Sequence, residues 1–301
     1  MTRIGLVLGA GGVTGEAFHR GVLWALQEAA GFDARSAEVI VGTSAGSLVG
    51  ASLRCSGMAP RRGALAPPDE ARATRLPDPR PLLATLRRPW NARAGVLATA
   101  LLPAGSRPMD AIVDGLRRRC GDGWPERDLY VCAVRRRDGR RVVFGAPGAP
   151  AIGLATAVAA SCAIPGFFRP VVHDGETYVD GGVHSPTNAD VLAGRGLDLV
   201  VISSPMSVER HALRAKLDLS ARLLWHRYVV AERRALERAG TPVLVVEPGG
   251  AALRALGLNA MRAMNVDAIE DTARAATLEL LARPEKAGRV ALLAGRRRAS
   301  A

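Results

Sequence analysis

The chain has 301 residues, of which 48% are hydrophobic and only 4% aromatic, so it can bury a full-sized core made mainly of Ala, Val and Leu, as layered α/β folds allow. The formal net charge is +13, but the basic residues are spread along the chain without interleaved aromatics, which argues against a nucleic-acid partner. No apolar run approaches the ~18 residues of a membrane span, and residues 1–8 lack the apolar core of a signal peptide. We therefore expect a cytoplasmic protein.

The four cysteines show neither a CxxC pair nor the spacing of metal ligands. They are Cys55, Cys120, Cys132 and Cys162. We expect them to be small apolar residues kept reduced. The His, Cys, Asp and Glu residues likewise form no cluster with ligand spacing, so no metal or cofactor is expected.

The first elements in chain order alternate between strand and helix patterns. Ile4–Leu8 is a short apolar run that ends in glycines, which is typical of a buried parallel strand. A helical face follows from Glu16, residues 38–41 form a second buried strand pattern, and residues 45–53 form the next helix pattern. Two such βα units predict a parallel sheet with helices on both faces.

Residues 60–108 break this alternation, since they are rich in Pro and Arg and show little periodicity. Such a segment is either a surface insertion or a cap over a binding site. Residues 129–134 and 142–144 flank an Asp138-Gly139 turn and predict a hairpin. The later predicted elements are a helix over 152–160, strands over 177–179, 199–203 and 243–246, a basic helix from about 208 to 238, a last helix from about 266, and a basic tail over 295–301.

The sequence Gly42-Thr43-Ser44-Ala45-Gly46 matches GxSxG between a predicted strand and a predicted helix. That context is the one in which the motif exposes a nucleophilic serine on a strained turn. The hydroxyl then lies at the positive end of the following helix. The pattern predicts Ser44 as a nucleophile; the alternative is a Gly/Ser turn without chemical use.

A glycine-rich loop, Gly9-Ala10-Gly11-Gly12-Val13-Thr14-Gly15, joins the first strand to the first helix. Such a loop presents backbone N–H groups to an anion. The anion could be a dinucleotide pyrophosphate or the oxyanion of an acyl-transfer intermediate. Counted from Gly9, the third glycine of G-x-G-x-x-G would fall on Thr14, and no acidic residue ends the second strand. The loop therefore favours the oxyanion over a nucleotide-binding oxidoreductase.

A serine nucleophile needs a base, and no histidine lies in a motif. Asp180 ends a predicted strand and precedes Gly181 and Gly182, so we expect its carboxylate at the C-terminal edge of the sheet, where binding crevices lie. A carboxylate within reach of Ser44 could take its proton directly. The alternative is an ordinary Asp-Gly turn.

Together these motifs resemble the patatin-like phospholipases in order and spacing. They are Leu6-Val7-Leu8 with the glycine loop, Gly21-Val22-Leu23, the GTSAG of residues 42–46, the segment Ala160-Ser161-Cys162-Ala163-Ile164-Pro165, and Asp180-Gly181-Gly182. The resemblance covers residues 4–204, with the insertion at about 60–108, and leaves 205–301 as a helical C-terminal region packed on the same domain.

This resemblance implies a three-layer α/β/α fold with a mostly parallel central sheet. It also implies a Ser44–Asp180 dyad that hydrolyses lipid acyl esters without a metal. The implied oxyanion hole is at Gly9, Gly11 and Gly12. The glycines that support the motifs are Gly15, Gly42, Gly46, Gly181 and Gly182.

Thr14 departs from the family pattern, which usually has Arg or Lys just before the last glycine of the loop. The change puts rate and substrate range in question, and it supports an alternative in which the protein only binds lipid or a partner. Arginines 117–119 and 135–137 form two basic clusters. They are either solvated ends of elements or a peripheral contact with anionic membranes.

Overall fold

The computed structural model describes residues 2–55, 105–121, 123–209, 219–257, 260–261 and 265–295. The strands are β1 (Ile4–Leu8), β2 (Val39–Thr43), β3 (Leu129–Arg135), β4 (Arg141–Phe144), β5 (Val171–His173), β6 (Glu176–Asp180), β7 (Leu199–Ser203) and β8 (Val243–Val246). The helices are α1 (Gly12–Ala30), α2 (Ala45–Cys55), α3 (Asp110–Cys120), α4 (Leu154–Ser161), α5 (Leu219–Arg238), α6 (Gly250–Leu256), α7 (Val266–Ala282) and α8 (Ala287–Leu293).

All the named strands belong to one mixed sheet in the order β5-β6-β3-β2-β1-β7-β8, with β4 paired to β3 off this path. The run from β3 through β2, β1 and β7 to β8 is parallel throughout. At the other end, β4 and β6 run antiparallel to β3, and β5 runs antiparallel to β6. The prediction of a mostly parallel sheet is confirmed.

Side chains alternate between the two faces of the sheet along each strand. Because every residue of β1, β2 and β7 is buried, both faces of the sheet are covered. In β1, Leu6 and Leu8 belong to a buried cluster with Phe18 of α1. Val7, between them, belongs to a second cluster with Leu236 of α5. Helices thus pack on both faces, and the predicted three-layer α/β/α fold is confirmed.

The chain after residue 204 contributes to both the sheet and a helical layer. β8 extends the sheet by pairing with β7, and α7 packs along α1. This close approach requires glycine at position 21. A methyl group there would collide with the backbone carbonyl of Glu270 and lie 2.9 Å from Cβ of Ala273. Glycine at position 21 therefore has a packing reason.

Most predicted elements are confirmed, and the largest observed shift is at the start of α1. The strands at 4–8, 199–203 and 243–246 and the hairpin around Asp138-Gly139 occur as predicted. α1 begins at Gly12 instead of Glu16, inside the glycine loop. The basic helix predicted from about 208 is described from Leu219, and residues 208–209 are not helical. Of the 60–108 insertion only 105–108 lie within the described residues, and the tail at 296–301 lies outside them.

The cysteine expectation is wrong for two of the four residues. Cys55 and Cys120 form a disulfide that joins the C-terminal ends of α2 and α3. Their separation of 65 residues carries no motif, so only the packing of the two helices brings them together. Cys132 and Cys162 are buried and free. The cysteines therefore do not argue for a reducing compartment.

The two arginine clusters occupy ordinary positions in the fold. Arginines 117–119 are exposed in the last turn of α3, where positive charge complements the helix dipole. Arg135 makes a salt bridge with Asp138 across the hairpin turn. Among the described helices, none is long and apolar enough to cross a membrane.

Candidate active site

Ser44 is the single residue between the end of β2 and the start of α2. Its φ is +52°, a conformation that is uncommon for a residue with a side chain and is found at functional turns. Hydrogen bonds from both sides hold its backbone. Its N–H donates to Oγ of Ser161 at 2.9 Å, and its carbonyl accepts from the N–H of Ser47 at 2.8 Å and from its hydroxyl at 2.7 Å.

The glycines of the motif are required by close backbone contacts. A methyl group on Gly46 would collide with the carbonyl of Leu8 at the end of β1. On Gly42 it would lie 2.8 Å from the carbonyl oxygen of Gly46. The first turn of α2 is thus packed closely against the end of β1.

Asp180 reaches Ser44 through the register of β3. Thr43 pairs with Cys132 in the parallel ladder, so the next residue, Ser44, comes level with Ala133. Ala133 pairs with Asp180 on the opposite side of β3. Asp180 therefore lies near Ser44, as expected from the sequence. The reason differs in part, because β6 runs antiparallel to β3 and Asp180 does not end a parallel strand.

The Asp180 carboxyl group is buried and has few polar partners. Its Oδ1 accepts the N–H of Gly182 at 2.7 Å, and the Ser44 side chain is close enough to lower its pKa. Burial raises the pKa of Asp180 to about 6, although the Ser44 side chain and the N–H of Gly182 both act to lower it. Such a carboxyl is ionised at neutral pH but holds a proton more readily than an exposed aspartate does.

The C-terminal end of α4 and the residues after it hold the backbones of both residues. Ser161 accepts the N–H of Ser44 and donates its hydroxyl to the carbonyl of Cys132 at 2.7 Å. Two residues on, the carbonyl of Ala163 accepts the N–H of Asp180 at 3.0 Å. The sequence pointed to this segment only through its resemblance to the family and gave Ser161 no role.

Gly9 does not have the role expected of it. Its N–H donates to the carbonyl of Ser203 in β7 at 3.0 Å, so it cannot also bind an oxyanion. Its carbonyl accepts from the N–H of Gly46 at 3.2 Å and from Nε2 of His19 at 2.8 Å. Gly9 therefore links the glycine loop to β7, to the serine turn and to α1.

Gly11 and Gly12 keep their N–H groups available. Among the described residues, no acceptor bonds the N–H of Gly11, Gly12 or Val13. α1 begins at Gly12, so these groups lie at the positive end of a helix. Gly12 has φ +57°, which favours glycine. A Cβ on Gly182 would lie 3.3 Å from Cβ of Ala10, so the loop runs beside the Asp180 turn.

Thr14, which stands where the family usually has a basic residue, is buried. Its hydroxyl lies 3.3 Å from the carbonyl oxygen of Gly11 and 3.4 Å from that of Ala260, and its N–H donates to Ala260 at 3.2 Å. The position therefore contacts the chain between α6 and α7. The loop has neutral donors here in place of a cation.

Three histidines have partners other than Ser44. Nε2 of His19 must carry the proton because it faces the Gly9 carbonyl, so Nδ1 accepts from the Ser203 hydroxyl at 2.8 Å. Burial lowers the pKa of His19 to about 4, which keeps it neutral. His173 bonds the carbonyl of Ala151, and His226 bonds Glu247. Among the described residues, no group of three or more His, Cys, Asp or Glu could hold a metal ion.

The arrangement can carry out acyl transfer. A hydroxyl on a strained turn lies against a buried carboxylate, which can take its proton. The N–H groups of Gly11 and Gly12, at a helix start, can bind a developing negative charge.

The chain is similar to a known family and to solved structures. The family model described as patatin-like phospholipase matches residues 6–193. Among solved structures, the chain is similar to VipD from Legionella pneumophila, with 14% sequence identity and a TM-score of 0.44. That alignment covers 93% of this chain and 66% of the other.

Proposed function

Because the chain belongs to the patatin-like phospholipase family, we propose that it is a serine lipid acyl hydrolase with Ser44 as the nucleophile and Asp180 as the general base. The observation that carries the proposal is the position of these two buried residues, which the register of β3 brings level with each other, with Ser44 on a strained turn. The family supports an ester bond as the target, and the dyad is our assignment.

The reaction begins with transfer of the Ser44 hydroxyl proton to Asp180. As this bond breaks, Oγ attacks the carbonyl carbon of the ester and forms a tetrahedral intermediate. Asp180 suits this step because burial raises its pKa to about 6, which places its proton affinity near the working pH.

The negative charge on the carbonyl oxygen would be stabilised by the N–H groups of Gly11 and Gly12, with the N-terminus of α1 adding its dipole. The N–H of Gly9 is left out of this set because it is bonded to Ser203. One such donor is worth about 10²–10³ in rate. A hole without a loop cation can therefore still support catalysis.

Collapse of the intermediate expels the alcohol, which takes the proton back from Asp180 and leaves an acyl ester on Ser44. Water then donates a proton to Asp180 and attacks the acyl carbon. The second collapse releases the fatty acid and restores the serine hydroxyl. Asp180 carries each proton, so the cycle balances without a metal or cofactor.

The substrate class we propose is a lipid acyl ester presented at a surface. The net charge of +13 and the exposed arginines at the end of α3 favour peripheral contact with anionic membranes. Binding of this kind weakens as salt screens it, so co-sedimentation with anionic vesicles should decrease as salt is raised. Equal binding to neutral vesicles at low salt would contradict the electrostatic contact.

A chain-length series of p-nitrophenyl esters, measured on the wild type and on Ser44→Ala, tests the proposal. We expect turnover in the wild type, none above background in the variant, and no effect of EDTA. If both proteins are equally inactive on every ester, a lipid- or partner-binding protein of the same fold is favoured. The buried, uncharged Thr14 in the glycine loop would then be the first residue to examine.

A further inference from the structure

Asn188 lies in the loop that follows Asp180 and is buried completely. Its side-chain Nδ2 faces three acceptors: Oγ1 of Thr43 at 3.1 Å, the carbonyl of Gly181 at 3.4 Å and the carbonyl of Ser185 at 2.9 Å. Thr43 immediately precedes Ser44, and Gly181 immediately follows Asp180. One amide group thus contacts a sequence neighbour of each proposed catalytic residue.

The orientation of this amide is determined by Arg141. Nη1 of Arg141 lies 3.3 Å from Oδ1 of Asn188. A guanidinium can only donate, so the oxygen must face it and the NH₂ group must face Thr43 and Gly181. Arg141 is held in turn by Asp190, whose Oδ2 accepts from Nη2 at 2.9 Å.

The residues on either side of Asn188 are held by one carboxylate from the C-terminal region. Oε2 of Glu232, in α5, accepts the hydroxyl of Thr187 and the N–H of Ala189 at 2.8 Å. Asn188 itself has φ +54°, which asparagine tolerates better than most residues. The loop backbone is thus fixed on both sides of the amide.

We propose that Asn188 is a positioning residue that sets the separation of Ser44 from Asp180 through Thr43 and Gly181. This inference rests on the proposed function, because it concerns the same dyad. It adds that the dyad depends on a residue near the end of the region matched by the family model, and on Glu232 beyond it.

Two substitutions separate the amide from the backbone conformation. Asn188→Gly keeps the positive φ and removes the amide, whereas Asn188→Asp keeps the shape and removes the N–H donors. With p-nitrophenyl butyrate we expect kcat to fall at least about tenfold in both variants and KM to stay within about twofold, since the loss is in the reacting geometry. The acid limb of kcat/KM should move to higher pH, because Ser44 lowers the pKa of Asp180 and this effect weakens when the two side chains move apart.

Leu293→Ala, in α8, is the control for stability alone. Leu293 is buried, so its truncation lowers the melting temperature by creating a cavity, but kcat should stay at the wild-type value. A kcat loss in the Asn188 variants that Leu293→Ala does not share at a similar melting temperature cannot come from weaker folding.

A double-mutant cycle with Thr43→Val tests the contact itself. The valine removes the acceptor for Nδ2, so it should lower kcat alone, and Thr43→Val combined with Asn188→Gly should lose less than the product of the single losses. Should both Asn188 variants fail to fold, Thr43→Val still decides: wild-type kcat in that variant would overturn the inference.

The inference also fails if either Asn188 variant folds and keeps wild-type kcat, or if the two losses multiply independently. In those cases Ser44→Ala would still abolish turnover in the parent, and the proposed function would stand. If the wild type has no Ser44-dependent turnover, the proposed function fails and the positioning assignment fails with it.

Discussion

Two polar clusters, at the ends of different strands of the same sheet, differ in what they could do. The first joins Ser44, after β2, to Asp180 at the end of β6. The second lies beyond β7 and β8, where Glu247 bonds His226 and Ser207 lies nearby. By residue type, the second cluster is closer to a Ser–His–acid triad than the first.

Geometry reverses that ranking. Oε1 of Glu247 lies 2.8 Å from Nδ1 of His226, but the bond between His226 and the Ser207 hydroxyl that a triad needs does not occur among the described residues. The Ser207 hydroxyl also bonds Ser204, at 2.7 Å to its Oγ, and Ser207 has no positive φ. The strained turn and the adjacent N–H groups, more than the residue types, are why we assign the chemistry to the first cluster.

Disabling each cluster in turn tests which of the two carries the ester turnover. Ser44→Ala and Asp180→Asn should each reduce ester turnover by at least about 10³, and the double variant should lose no more than either single variant, because the pair acts as a unit. Ser207→Ala and Glu247→Gln are the matched controls and should stay within about twofold of the wild type. Loss of turnover in the Glu247 variant with full turnover in Asp180→Asn would transfer the chemistry to the second cluster.

The next largest effect should come from the oxyanion loop. Gly12→Ala forces a side chain into a positive φ and to within 2.7 Å of the Ala260 carbonyl, which displaces the N–H donors. We expect kcat to fall about 10²–10³-fold. Gly31→Ala is the control, because Gly31 has φ +65° with open space around it. It should cost about 1 kcal/mol of stability and leave kcat unchanged; equal kcat losses in the two variants would show that strain alone is responsible.

Asp180 should also make the native state less stable above its pKa. Its folded pKa is about 6 against an ordinary 3.8, so the native state binds the proton more tightly and loses stability as the pH rises from about 4 to 6. Asp180→Asn removes a penalty of at most about 3 kcal/mol. Urea unfolding should find the variant more stable than the wild type at pH 7.5, with the difference shrinking toward pH 4. A variant less stable at pH 7.5 would mean that the carboxylate is net stabilising.

The smallest effect is the pH dependence of the wild type. Because Asp180 must be ionised to act as the base, kcat/KM should fall about tenfold per pH unit below about 6. His226→Ala should leave this limb in place, since the second cluster does not take part. A limb that moves in His226→Ala, with folding intact by circular dichroism, would show that the histidine contributes.

The buried strands and the serine turn could be predicted from sequence because their signals are local. β1 and β7 are apolar runs bounded by Gly or Ser, and GTSAG carries its own strand-to-helix context. The start of α1 was misplaced because Gly12 opens the helix from a positive φ, and glycine is a poor helix signal.

The remaining features depend on contacts between residues far apart in sequence. Three contacts join distant segments. The N–H of Gly9 donates to Ser203, Cys55 pairs with Cys120, and Ser161 accepts the N–H of Ser44. The antiparallel direction of β6 follows from its pairing with β3. None of these contacts leaves a periodic or motif signal in a single sequence.

The most direct test of the Ser44–Asp180 assignment is covalent labelling with a fluorophosphonate, followed by mass spectrometry of the peptides. The adduct should form on Ser44 in the wild type, form far more slowly in Asp180→Asn, and form at the wild-type rate in Ser207→Ala and His226→Ala. An adduct on Ser207, or a rate at Ser44 that is unchanged by Asp180→Asn, would contradict the assignment.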